Sequence, residues 1–214
     1  HPINGLMMPD SFITRAEEIR LIIPLGLLIF KKALEQIKTW QEQNLFNGIV
    51  VAINISSVQI EDDDFVEKIE AIRETVGLSA SLIELEVTES CFMNNPDQFA
   101  TTLQKLENLG YKISIDDFGT GYSSLSYLKQ LPLHKLKIDR SFIKDLPDDK
   151  DDQAIAKAII ALGKTLELEV LAEGVETEAQ KAFLIENGCD SMQGYLFSKP
   201  MTADVFEASF AHQN

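Results

Sequence analysis

The chain has 214 residues, of which 45% are hydrophobic and 25% charged. That is enough apolar content for a core, and it excludes disordered, collagen-like and low-complexity classes. No run approaches the ~20 uncharged apolar residues of a membrane span, and His1-Pro2 opens without the charged start and apolar run of a signal peptide. Nineteen basic against 34 acidic residues give a formal charge of −15, which disfavours a nucleic-acid polymer as partner. A phosphate ligand remains compatible with such a chain where cations neutralise gathered carboxylates. Two cysteines, Cys91 and Cys189, are too few for a disulfide framework and fit a reducing cytoplasm.

In chain order, Pro9-Asp10-Ser11 caps a helical run over Phe12–Leu21, and a longer one covers Leu25–Gln43. Six β-branched apolar runs follow, each leading into a helix-period segment: Ile49–Ser56, Leu82–Ser90, Lys112–Phe118, His134–Asp139, Glu169–Glu173 and Ser191–Phe197. Helices are expected to begin near Asp63, Pro96, Ser124, Gln153, Glu178 and Ala203, with Gly77, Gly110 and Gly188 at helix ends. Asp148–Asp152 reads as a solvated loop ahead of the helix from Gln153. Strands separated by helices pair in parallel and form βαβ units. No linker interrupts the pattern, so it is one α/β domain. A Rossmann fold places Gly-x-Gly-x-x-Gly after its first strand. Here Ser57-Val58-Gln59 stands there, so a TIM-like (β/α)8 barrel is the expected fold.

In a barrel, chemistry gathers at the C-terminal ends of the strands. All six runs deliver a polar group at that end: Asn54, Glu86, Asp116-Asp117, Lys137, Glu173 and Gln193. Taken singly, each has an ordinary reading. Asn54 suits a core amide, Glu84 and Glu86 the solvent face of an edge strand, and Asp116-Asp117 a turn or helix cap. Lys137 suits a rim ion pair with Asp139, while Glu173-Gly174 and Gln193-Gly194 suit turns. Coincidence on six strands argues for a site instead. Asn54, Glu86, Asp116, Asp117 and Glu173 offer hard oxygen donors without imidazole or thiolate, which favours Mg²⁺ or Mn²⁺ over zinc. Convergent carboxylates repel one another unless cations balance them. Two divalent ions some 3.5–4 Å apart are the usual apparatus for displacement at phosphorus. Lys137 is then placed to orient the attacking water or to stabilise charge on phosphate. The same set also fits a lyase or isomerase with Lys137 as base on an enolate. The Asp-Phe-Gly within Asp116–Gly119 lacks the other kinase motifs and is set aside.

The segments Asn54-Ile55-Ser56, Glu86-Val87-Thr88-Glu89, Asp116-Asp117-Phe118-Gly119-Thr120-Gly121-Tyr122-Ser123-Ser124, Lys137-Ile138-Asp139, Glu173-Gly174-Val175-Glu176 and Gln193-Gly194-Tyr195 stand in one order. From end to end, residues 1–214, the chain resembles the EAL-domain family of cyclic di-GMP phosphodiesterases. The resemblance implies hydrolysis of cyclic di-GMP to linear pGpG with two Mg²⁺ or Mn²⁺ ions. It implies Asn54, Glu86, Asp116, Asp117 and Glu173 as metal ligands, Lys137 on the attacking water, Gln193 beside that water, and Glu176 in support. It further implies Glu89 as anchor of the loop from Phe118, a homodimer contact through Phe118–Leu131, and a guanine pocket lined by Phe197 and Pro200. Sensor or cyclase domains in a longer cytoplasmic or membrane-tethered protein are expected, with no membrane contact by this segment.

The Glu-Ala-Leu triplet that names the family, with its nearby arginine, does not occur in this sequence. In the family it lies just upstream of the equivalent of His1-Pro2. A complete barrel takes about 250 residues, so the expectation is a chain lacking about two N-terminal strands and one metal ligand, with little turnover of its own. The alternative is an inactive receptor domain for cyclic di-GMP.

Overall fold

The computed structural model describes residues 3, 5, 7–92, 95–121 and 128–210. A 3₁₀ turn at Pro9–Ser11 leads into α1 (Ile13–Glu18) and α2 (Ile22–Glu42). Then come β1 (Val51–Ile55), α3 (Ser57–Ile60), α4 (Phe65–Val76), β2 (Ile83–Thr88), α5 (Pro96–Asn108), β3 (Lys112–Phe118) and β4 (Lys135–Ile138). The chain continues through α6 (Lys150–Thr165), β5 (Glu169–Ala172), α7 (Glu178–Glu186), β6 (Ser191–Met192) and α8 (Ala203–Phe210). The helix expected from Ser124 lies outside the described residues, as does part of the expected dimer contact.

The six strands form one parallel sheet in the order β1-β2-β3-β4-β5-β6. That order never reverses, so there is no switch point as in a doubly wound sheet. Six consecutive strands wound this way are part of the wall of a TIM-like barrel. Because strand residues alternate faces, register assigns each side chain. Ile53, Ile55, Leu85, Val87, Ile113, Ile115, Leu136, Ile138 and Val170 form one apolar face and share a core with Phe30, Leu34, Ile37, Leu103, Leu106, Ile159 and Ile160 of the helices. The opposite face carries Asn54, Glu84, Glu86, Ser114, Asp116, Lys135 and Lys137. The apolar face is what fixes the register, since a one-residue slip would turn these charges into the core.

Local chemistry explains the element boundaries. Gly77 ends α4 in the left-handed region at φ 76°, where glycine is favoured. Ser56 caps α3, and Gln59 returns a bond to the Ser56 amide, completing a capping box directly after β1. Two boundaries differ from expectation. Helix α6 begins at Lys150, because the Asp149 carboxylate caps the amides of Asp151 and Asp152, so the acidic run is its first turn rather than a loop. Strand β6 stops at Met192, because the Gln193 backbone bridges Ala172 and Val175 and Gly194 then presses on Val175. A Cβ at Gly194 would stand 2.1 Å from the Val175 carbonyl oxygen. Both cysteines are free and buried. Among the described residues, no helix is long and apolar enough to cross a membrane.

Candidate metal centre

The site grows from the strand ends. Lys137, on β4, is 2% exposed, and its ammonium contacts three carboxylates on three other strand ends. Nζ lies 2.9 Å from Glu86 Oε1, 3.0 Å from Asp116 Oδ1 and 2.7 Å from Glu173 Oε1. Carboxylate oxygens of Asp116, Asp117 and Glu173 also lie within 4.8 Å of one another. Lys137 therefore bonds to the site acids, and the rim pair with Asp139 does not form. Asp139 instead accepts from the amide and hydroxyl of Ser141, capping the turn after β4, and faces Asp117.

One ammonium among four carboxylates (Glu86, Asp116, Asp117 and Glu173) leaves three negative charges when all are ionised. The proton affinities follow from that imbalance. Burial, only partly countered by Lys137, raises the Glu86 and Glu173 carboxyls above their ordinary value. Burial and then the charges of Asp116 and Asp139 push Asp117 up to about 6. For Lys137 burial pulls downward, but Glu86, Glu173 and Asp116 together outweigh it and hold the amine above the lysine range. The amine gains from three partners while each acid shares one cation. Asp117 also has φ 54°, an uncommon backbone for a residue with a side chain, and this turns its carboxylate toward Asp116 and Glu173. A half-buried, all-oxygen, net-negative cluster fits hard divalent cations.

The remaining candidates occupy different positions. Asn54 is opposite Glu86 in register and exposed on β1. Glu89, buried, accepts from the amides of Gly119 at 3.0 Å and Gly121 at 3.3 Å, so it is tied to the backbone after β3. A Cβ at Gly121 would lie 2.8 Å from Glu89 Oε1, which is why the loop passes with glycine there. Glu176, Gln193, Phe197 and Pro200 are exposed on the loops after β5 and β6, and none enters the Lys137 network. Sequence reasoning missed a lower rung on the same face: Lys135 Nζ lies 2.8 Å from Glu84 Oε2 and 3.7 Å from Glu169 Oε2. Its signal was the matched spacing of Glu84/Glu86 and Lys135/Lys137, two residues apart on β2 and β4. It also missed that Glu17 of α1 accepts from the Ser56 hydroxyl at 2.6 Å, fastening the N-terminal helices to the end of β1.

The family model for the EAL domain matches residues 1–200. The chain belongs to the EAL-domain family. A relative named bifunctional diguanylate cyclase/cyclic di-GMP phosphodiesterase MucR, from Pseudomonas aeruginosa, is 44% identical over 211 residues. That alignment takes in 99% of this EAL domain and 31% of MucR, so the chain spans about a third of that relative. The solved PaMucR phosphodiesterase in complex with c-di-GMP superposes with a TM-score of 0.92 at 44% identity, covering 96% of this chain and 83% of that one. The Klebsiella pneumoniae BlrP1 manganese/cy-diGMP complex superposes with a TM-score of 0.80 at 30% identity, covering 93% of this chain and 50% of that one. The EAL-type fold is therefore established for this chain.

Proposed function

We propose that residues 1–214 act as one EAL-type phosphodiesterase domain that opens one phosphodiester bond of cyclic di-GMP to give linear pGpG. The observation that carries this reading is the ammonium of Lys137 shared by Glu86, Asp116 and Glu173, with Asp117 beside them. The names of MucR and of the PaMucR and BlrP1 complexes support the substrate, and the manganese in the BlrP1 complex supports the cofactor. Asn54, Glu86, Asp116, Asp117 and Glu173 are assigned as holding two Mg²⁺ or Mn²⁺ ions. Bound there, the ions would polarise phosphoryl oxygens and acidify water.

The chain's own residues do the rest. Lys137, a pure donor whose three N–H groups meet three carboxylates, turns one of them to orient the attacking water and to stabilise negative charge developing on the phosphate. Gln193 positions that water, and Glu176 supports the site. Phe197 and Pro200 line a guanine pocket, exposed as a ligand-binding face needs to be. Glu89 anchors the glycine loop after β3, next to a homodimer contact through Phe118–Leu131. Sensor or cyclase domains accompany the unit in a longer cytoplasmic or membrane-tethered chain, in keeping with the two-activity name of MucR. The test is incubation of the intact natural protein with cyclic di-GMP and Mg²⁺. Appearance of pGpG, abolished by Asp116→Ala, supports the reading; no pGpG, or turnover untouched by the substitution, overturns it. Tight binding without turnover would leave a receptor in its place.

A further inference from the structure

Two lysines of β4 reach across β3 to two glutamates of β2, and the pairing they choose is not the one that strand register offers. Register sets Glu86 opposite Ser114, and Ser114 opposite Lys135, so Lys135 is level with Glu86. Its ammonium nevertheless bonds Glu84, at 2.8 Å, and Glu86 is left to Lys137, at 2.9 Å. The residue being crossed is Ser114, fully buried and small, which leaves room for the lysine stem. The lower rung is itself buried: the Glu84 side chain is 4% exposed and that of Lys135 15%. Glu84 uses only one oxygen in this pair. Its Oε1 is buried and, among the described residues, has no hydrogen-bond partner, so it is an acceptor open to a second ammonium.

We propose that Glu84 and Lys135 are a positioning pair for the metal centre, a lower ion-pair rung whose closure keeps Lys135 off Glu86 and keeps Lys137 up among Glu86, Asp116 and Glu173. A buried charge left single seeks the nearest opposite charge, because the interior offers no water to take its place. Without Lys135, Glu84 has Lys112 opposite it in register on β3, and Lys137, two residues beyond Lys135 on β4, is the more deeply buried of the two amines. Without the charge on Glu84, Lys135 is left with Glu169, 3.7 Å away but 45% exposed to water, and with Glu86, the buried carboxylate level with it. Neither residue of the rung touches the reacting atoms; both act through Lys137 and Glu86. The inference rests on the phosphodiesterase reading, and it is specific to the pair of charges at positions 84 and 135.

The two single variants should fail in different ways, which a general loosening of the sheet would not produce. In the intact natural protein, Lys135→Met draws Lys137 down. Turnover number should then fall about 10²-fold, the range for loss of a positioned proton-handling group, with KM held. Mn²⁺ affinity, measured by calorimetry without substrate, should stay or rise, since the upper acids lose a competing cation. Glu84→Gln sends Lys135 to Glu86, so Mn²⁺ should bind about tenfold more weakly, a difference of about 1.4 kcal/mol. The double variant Glu84→Gln/Lys135→Met removes both charges and should recover Mn²⁺ affinity and most turnover, and Lys135→Arg should behave as the natural protein does. If Lys135→Met does not fold, Glu84→Gln and the double variant still decide the matter by Mn²⁺ affinity. Single variants that bind Mn²⁺ and turn over like the natural protein overturn the proposal. So does a double variant at least as impaired as the worse single one. If the natural protein makes no pGpG, the phosphodiesterase reading fails alone, and the Mn²⁺ measurements still test the rung.

Discussion

Replacing Lys137 with methionine keeps the unbranched stem of the side chain and removes the one cation that Glu86, Asp116 and Glu173 share. At an effective dielectric near 20, a unit-charge pair about 4 Å apart is worth ~4 kcal/mol, so three such contacts approach ~12 kcal/mol before desolvation. Removing a buried ammonium from water cancels most of that, and breaking a buried pair typically costs about 3–5 kcal/mol net. The direction with pH follows from the carboxyls. Glu86, Asp117 and Glu173 all have raised affinities, so their protonated forms are favoured in the fold, and stability rises as pH falls through about 6 toward the ordinary carboxylate range. Lys137→Met should therefore lose about 3–5 kcal/mol at pH 8 and distinctly less at pH 5, where protons replace the missing cation. Mn²⁺ at pH 8 should restore more stability to the variant than it adds to the natural protein, while hydrolysis stays about 10²–10⁴-fold down. Urea unfolding at both pH values, with and without Mn²⁺, reads this directly. Equal losses at pH 5 and pH 8, or a metal response smaller in the variant, would refute the shared-cation argument.

Three further outcomes follow from the same structure. With Asp117 near 6, Mn²⁺ binding should release protons at pH 6 and almost none at pH 8, which calorimetry in buffers of different ionisation enthalpy measures; constant release across that range would be inconsistent. Gly194→Ala sets a methyl 2.1–2.7 Å from Val175 backbone atoms, so about 1–3 kcal/mol should be lost in urea melts, with activity impaired through neighbouring Gln193. Ser56→Ala removes the cap of α3 and the partner of Glu17, and should cost about 1 kcal/mol; a cost indistinguishable from zero would show that neither bond matters.

How much of this was readable in the chain depends on the kind of information each feature carries. The strands were legible because β-branched apolar runs alternate with polar residues, and all six observed strands fall inside the runs at Ile49, Leu82, Lys112, His134, Glu169 and Ser191. The convergence of Glu86, Asp116, Asp117 and Glu173 was legible because parallel strands bring their C-terminal ends to one side. What Lys137 does there was not. Its strand-end position put it in the site, but taken singly its alternation with Asp139 also allowed a local pair; the turn at Ser141 takes Asp139, and only the fold shows which acids the amine meets. The shortness of β6 depends on Gly194 against the Val175 backbone, a contact between loops. The lower rung was hidden for a similar reason: Lys135 reads as an ordinary polar residue until the sheet places it beside Glu84.

Anomalous diffraction at the manganese edge, from crystals of the intact protein grown with Mn²⁺, tests the central claim most directly. The account requires two peaks about 3.5–4 Å apart, within bonding distance of Asp116, Asp117 and Glu173, with the Lys137 ammonium still beside them. Peaks elsewhere with this cluster empty at saturating Mn²⁺, or Lys137 turned away from the occupied site, would contradict it.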